Sequence, residues 1–234
     1  MKKPGIIGGI GPESSIEYYR LIIKRFRERT QSKDYPELVV NSVNMTEMLD
    51  YVMTGQEDKL VGFLLDRIKT LELAGVDFVV MASNTPHIVF DKLAKQTTMP
   101  LVSIVEETCK SVKNTGIKKV GLLGTRSTMT AGFYQRAATY SGVEMHIPTP
   151  DQQDYVHEKY MNELVFNNRL PETKNRLVKI VMEMKRRDQI EGLVLGGTEL
   201  PLILGQDDFP NLRIFDTTKI HVESIVEKML EDRR

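Results

Sequence analysis

Residues 3–9 read KPGIIGG and residues 119–125 read KVGLLGT. Each is a short apolar run that stops at glycine and a small residue, as a buried strand does when it reaches a loop. A second pair follows the first. Residues 79–85 read VVMASNT and residues 193–199 read LVLGGTE. The pairs recur at offsets of 116 and 114 residues (119 − 3 and 193 − 79). Two matches at nearly one spacing predict two similar halves.

The rest of the chain fills in those halves. Candidate strands lie at Gly5–Gly8, Leu38–Val43, Phe78–Ala82, Leu101–Ile104, Lys119–Leu123, Glu144–Ile147, Gly192–Leu195 and Leu212–Phe215. Helical periodicity separates them. SSIEYYRLIIKRFRER (14–29) places Ile16, Tyr19, Ile23 and Phe26 on one face. In residues 58–75, Leu60, Leu64, Ile68 and Leu71 line up before Gly75. Further helices are expected near 87–96, 104–115, 128–141, 154–168, 172–187 and 218–231. Strand–helix alternation predicts an α/β fold of two similar α/β domains, each a mainly parallel sheet flanked by helices. The halves are expected at 1–102 and 103–213, with a C-terminal helix at 214–234 returning to the first. A pseudo-twofold relation and a ligand cleft between the halves are expected, because such sheets bind ligands beyond the carboxyl ends of their strands.

Composition narrows the functional class. The chain has 234 residues, 41% hydrophobic and 27% charged, as a soluble globular protein does. Lys plus Arg equals Asp plus Glu at 32 each, so there is no basic excess for a nucleic-acid partner. A charge balance of zero also leaves self-association unopposed. Neither a signal-peptide core nor a membrane-length apolar run is present, and a cytoplasmic location is expected. The single cysteine, Cys109, sits in EETCKSV, a helical stretch. It has no neighbour at metal-ligand spacing and reads as a half-buried apolar residue. His146 and His221 also lack metal-like partners, and His157 reads as a solvated helix position.

Four strand-end segments carry the chemistry. GGIGPESS (8–15) is neither a dinucleotide fingerprint nor a P-loop. It suits close backbone approach to a small anion, or a plain tight turn with Ser14 or Ser15 as helix cap. GTRSTMT (124–130) offers hydroxyls from Thr125, Ser127 and Thr128 for a carboxylate, for capping, or for both. ASNTPH (82–87) offers Ser83, Asn84, Thr85 and His87. A Ser83–His87 nucleophile is conceivable by spacing. However, there is no G-x-S-x-G elbow, and Pro86 holds Thr85 extended, so His87 reads as a loop-orienting residue. GGTELP (196–201) offers Thr198 and Glu199, the latter as an acid/base group or as a first-turn residue facing the helix dipole.

These four segments, in this order and spacing, resemble the aspartate/glutamate racemase family over essentially the whole chain. The carrying residues are Gly8–Pro12, Ser83–His87, Gly121–Thr125 and Gly196–Leu200, with YVHEKYMNEL (155–164) similar to a helix of the second half. The resemblance implies two α/β domains, a homodimer, no cofactor and no metal. It also implies α-proton removal on one face of an amino acid and return on the other. It implies a small-molecule amino-acid or dicarboxylate substrate held by Gly8, Gly11, Asn84, Thr85, Gly124, Thr125, Thr128 and Thr198, with Arg126 as one candidate for a side-chain carboxylate.

The family carries its two acid/base cysteines where this chain has Ser83 and Gly197. A thiol, with a reference pKa of about 8.5, can cycle between acid and base near neutrality. A serine alkoxide is scarcely populated, and glycine has no side chain. Two-thiol catalysis is therefore expected to be slow or absent, with Ser83, Thr198 and Glu199 as the remaining catalytic candidates. Gly197 is expected to leave room for water or a larger substrate. Cysteines restored at both positions are expected to raise activity. The alternatives are a binding protein that has lost catalysis, a decarboxylase-like enzyme on the same scaffold, and a Ser83-based hydrolase.

Overall fold

The computed structural model describes residues 1–231. It separates into two units, Met1–Ile104 joined by the chain from His221 onward, and Val105–Ile220.

In the first unit β1 (Pro4–Gly8) is followed by α1 (Pro12–Thr30), β2 (Val39–Ser42), α2 (Met45–Met53), α3 (Glu57–Leu73) and β3 (Phe78–Met81). A 3-10 turn at Thr85–Val89, α4 (Phe90–Ala94) and β4 (Leu101–Val102) complete it. The four strands are parallel in the order β2-β1-β3-β4, with Gly5 opposite Val39 and Val79. Both faces of this sheet are covered, which is why its central strands read as unbroken apolar runs. Ile7, Val79 and Met81 pack with Met48, Leu60, Leu64, Ile68 and Leu71. The alternate residues Ile6, Phe78 and Val80 pack with Tyr18, Ile22 and Phe26 and with Val222, Ile225, Val226 and Met229 of the final helix.

The second unit repeats the plan. It runs α5 (Ile104–Asn114), β5 (Lys119–Gly124), α6 (Arg126–Thr130), α7 (Phe133–Tyr140), β6 (Glu144–His146), α8 (Pro150–Asn162), α9 (Pro171–Asp188), β7 (Gly192–Gly196), β8 (Arg213–Asp216) and α10 (Thr217–Leu230). Its sheet is again parallel, β6-β5-β7-β8, with Gly121 opposite His146 and Leu193. Among the described residues, no helix is long and apolar enough to cross a membrane.

All eight strands lie within two residues of their expected positions. Four details differ from the sequence reading. First, Ile16 and Tyr19 are 61% and 51% exposed, and the buried stripe of α1 is Ser14, Tyr18, Ile22 and Phe26. Both stripes have helical spacing. Polar anchors choose between them, because the Tyr18 hydroxyl meets His221 Nδ1 at 2.8 Å and Ser14 Oγ reaches the carbonyls of Gly11 and Ala82. Second, the helix expected over 128–141 is two helices, broken at Gly132, whose φ of +80° favours glycine. Third, α2 was not anticipated, although Asn44 caps it by accepting from Thr46 N–H at 3.0 Å. Fourth, residues 214–216 belong to β8 of the second sheet, so the return to the first unit is made by the later part of α10.

Candidate active site

In the first unit, β1 runs into a tight turn. Gly9 has φ +84°, and a Cβ there would lie 2.7 Å from the Val43 nitrogen, so neither conformation nor space admits a side chain. Gly11, not Ser14 or Ser15, is the cap residue of α1. The two serines lie inside the helix and bond back. Ser15 Oγ accepts from Gly9 N–H at 2.7 Å, which also explains why a Cβ on Gly8 would meet that oxygen at 2.7 Å.

From β3 the chain enters Ser83, Asn84 and Thr85, all buried. Among the described residues the Ser83 hydroxyl has no hydrogen-bond partner. His87 is 3% exposed and stacked on Phe90, with ring centroids 5.1 Å apart. Burial, with His221 nearby adding to it, lowers its pKa to about 3. Its ring nitrogens lie near the backbone of Ser83 and Asn84 and make no hydrogen bond of good geometry. His87 is therefore a neutral packed residue, and a Ser83–His87 nucleophile is not assembled.

In the second unit, β5 ends at Gly124, where a Cβ would lie 2.8 Å from the Gly196 carbonyl oxygen. Thr125 caps α6. Its hydroxyl accepts from Thr128 N–H at 3.3 Å and lies 3.1 Å from the Thr128 hydroxyl. Arg126 N–H donates to His157 Nδ1 at 3.3 Å, so His157 is not merely solvated as the sequence suggested. Arg126 itself pairs with Asp154 at 2.5 Å, which occupies a candidate for binding a substrate carboxylate.

The turn after β7 holds the main departure from expectation. Gly197 does not open a space. A Cβ at that position would lie 2.9 Å from both Cζ and the hydroxyl oxygen of Tyr160, and closer still to its Cε2. The tyrosine ring, carried by α8, already fills the volume. Its hydroxyl donates to Glu199 Oε2, and Thr198 Oγ1 donates to the same oxygen at 2.8 Å. Glu199 is 1% exposed and caps the 3-10 turn Leu200–Leu202, with its carboxylate directed to these hydroxyls and not to the turn's own N–H groups. Burial first, then the charge and hydrogen bond of Glu199, raise the Tyr160 phenol well above its usual range.

Tyr160 is the residue that sequence reasoning missed. It lies within the quoted helix YVHEKYMNEL, but helical spacing alone cannot show that it meets a glycine in a distant turn. Cys109 is no substitute for the absent thiols. It is buried in α5, and burial, helped by Glu106, pushes its pKa up to about 12.

Each of the two parallel-sheet α/β units carries buried polar residues beyond the ends of its central strands. The Asp/Glu/Hydantoin racemase family model matches residues 7–225, and the chain belongs to that family. An aspartate racemase homologue from Pyrococcus horikoshii OT3 is 35% identical. It superimposes with a TM-score of 0.83, covering 99% of this chain and 100% of that one. A solved Yersinia pestis structure, 28% identical, reaches a TM-score of 0.90 over 99% of this chain and 100% of its own. The broad specificity amino-acid racemase RacX of Bacillus subtilis (strain 168) is 28% identical over 144 residues. That match takes in 60% of this chain and 62% of RacX, so the chain spans less than two thirds of that relative.

Proposed function

We propose that this chain is a cofactor-independent isomerase of an amino acid or similar small carboxylate, acting by α-proton removal and return. The observation that carries this reading is the buried Tyr160–Glu199–Thr198 cluster at the turn after β7. There the resemblance places one of the family's acid/base cysteines. The site has lost the thiol and kept a proton-accepting group. Ser83 is the counterpart in the first half. Gly8, Gly11, Asn84, Thr85, Gly124, Thr125, Thr128 and Thr198 are assigned to substrate binding. Thr125 and Thr128 also cap α6, and both roles are compatible for a hydroxyl, which donates one bond and accepts others. A homodimer in the cytoplasm is the working form under this reading.

Ordinary two-thiol racemisation of aspartate or glutamate is expected to be slow or absent. RacX is named for broad specificity, so the assay takes in a wide panel. It follows the α-proton by NMR in deuterium oxide for L- and D-aspartate, L- and D-glutamate and the other chiral proteinogenic amino acids. Loss of the α-proton signal above a no-protein control, with formation of the other hand, supports the isomerase. Line-broadening without loss supports the second reading, a binding protein without catalysis, which the absence of both thiols favours.

A further inference from the structure

The two strand-end turns are not equivalent in what they can do with a proton. At Ser83 the hydroxyl has no hydrogen-bond partner among the described residues, and the histidine four positions on is stacked and neutral. Nothing there can accept a proton from a weak carbon acid. At Gly197 a phenol stands where the family side chain begins, bonded to a carboxylate that a second hydroxyl also holds.

We propose that Tyr160 is the catalytic proton-transfer group of the second half, with Glu199 as its proton acceptor, and that the protein exchanges the α-proton on this face faster than it inverts the carbon. The inference rests on the reading of the site as one for α-proton chemistry. It makes the two faces unequal, with return to the same face ahead of inversion.

The substrate Cα–H bond breaks and its proton passes to the Tyr160 hydroxyl oxygen. The phenol's own proton passes at the same time to Glu199 Oε2. The electron pair stays on the substrate as a carbanion delocalised into its carboxylate. Reversal returns a proton to the same face of the same carbon. In deuterium oxide the protons on the Tyr160 hydroxyl and on Glu199 both exchange with solvent, so the atom the phenol returns to carbon is a deuteron. The relay matters because the phenol stays protonated on its own. Its burial and the Glu199 charge both oppose free phenolate. Coupling the two transfers avoids forming that phenolate. Thr198, donating to the same carboxylate oxygen, holds Glu199 in line.

The test uses the full chain and the amino-acid panel above, with chiral separation of every sample. The expected result is loss of the α-proton signal for one hand of a substrate at least about tenfold faster than formation of the other hand. Tyr160→Phe keeps the ring that fills the space at Gly197 and removes only the hydroxyl. It is expected to lower exchange by at least about 100-fold, the lower end of the range for general acid–base groups. Glu199→Gln is expected to do the same. Glu199 acts through Tyr160, so its test is rescue by the conservative variant. Glu199→Asp is expected to keep part of the exchange and Glu199→Gln to lose it.

Interconversion as fast as exchange, from both hands, overturns the unequal-face proposal and leaves the isomerase reading standing. No exchange across the panel overturns both. Wild-type rates in folded Tyr160→Phe and Glu199→Gln overturn the assignment of the relay. Should Tyr160→Phe fail to fold by circular dichroism, the exchange rates of Glu199→Asp and Glu199→Gln decide alone.

Discussion

The turn after β3 and the turn after β7 are built alike and equipped differently. Each follows a buried parallel strand and tightens into a 3-10 turn with proline near its start. Each closes with the same local bond, His87 N–H to the Asn84 carbonyl at 3.0 Å and Leu200 N–H to the Gly197 carbonyl at 3.1 Å. The first then presents Ser83 without a base. The second presents a carboxylate bonded to two hydroxyls. Backbone repetition preserves the turn, and the side chains give its two copies different polar groups.

The largest effects should come from making the turns alike. Tyr160→Phe silences the active copy by about 10²–10⁴, the span of general acid–base contributions. Ser83→Cys equips the silent copy with a group that can accept a proton near neutrality. It is expected to raise interconversion of the two hands at least about tenfold above wild type, as measured by chiral chromatography. A variant that exchanges only the original hand would show that a thiol alone does not arm the first turn.

Cysteine at Gly197 is expected to do the opposite of what the sequence comparison alone suggests. The added Cβ meets the Tyr160 ring, and overpacking of this kind costs about 1–3 kcal/mol. For a chain of this size each kcal/mol lowers Tm by about 2–4 °C. Thermal unfolding of Gly197→Ala gives the steric part without thiol chemistry. In a Tyr160→Ala background the same substitution should cost less than it does in wild type, as a double-mutant cycle reads. If Gly197→Ala is as stable as wild type, the ring does not fill that space in solution.

The strands were legible because burial on both faces leaves a continuous apolar run that glycine ends sharply, as in KVGLLGT. The positions of Ser83, Asn84, Thr85, Thr198 and Glu199 at strand ends followed from the same signal. The face of α1 was not legible, because the stripes through Ile16 and through Tyr18 have equal periodicity. The choice depends on a hydroxyl–imidazole bond to His221, 203 residues away. Tyr160 escaped for the same reason. Its role is set by a glycine it meets only after folding, and local patterning carries no trace of a long-range steric complement.

Acid should separate the two units further. His87 and His221 both lie in the first unit, fully buried, with pKa values lowered by burial to about 3 and about 4. In the unfolded chain both titrate near 6.5. Above that value both states are neutral and the stabilising contribution is complete. Between about 6.5 and the folded values the unfolded chain binds more protons, so stability falls as pH drops. The slope approaches about 1.4 kcal/mol per pH unit for each histidine. The window from pH 6.5 to 5 reports this before most carboxylates titrate. Hydrogen exchange is expected to show protection lost sooner in β1 and β3 than in β5 and β7. Equal loss in both sheets would show that the two units unfold as one.

The smallest effect tests what sets the first unit apart in packing. There α10 covers the sheet beside α1, and Glu223 bridges Arg25 and Arg29 across the two helices. The pairs are about a third exposed, so water and salt screen them. Glu223→Gln is expected to cost about 0.2–1 kcal/mol by urea unfolding, with the difference shrinking at high salt. The apolar contacts of Val222, Ile225, Val226 and Met229 with Ile22 and Phe26 hold the helix in place without it. A loss well beyond that range would mean that the charge network, and not the apolar face, ties the chain's end to the first unit.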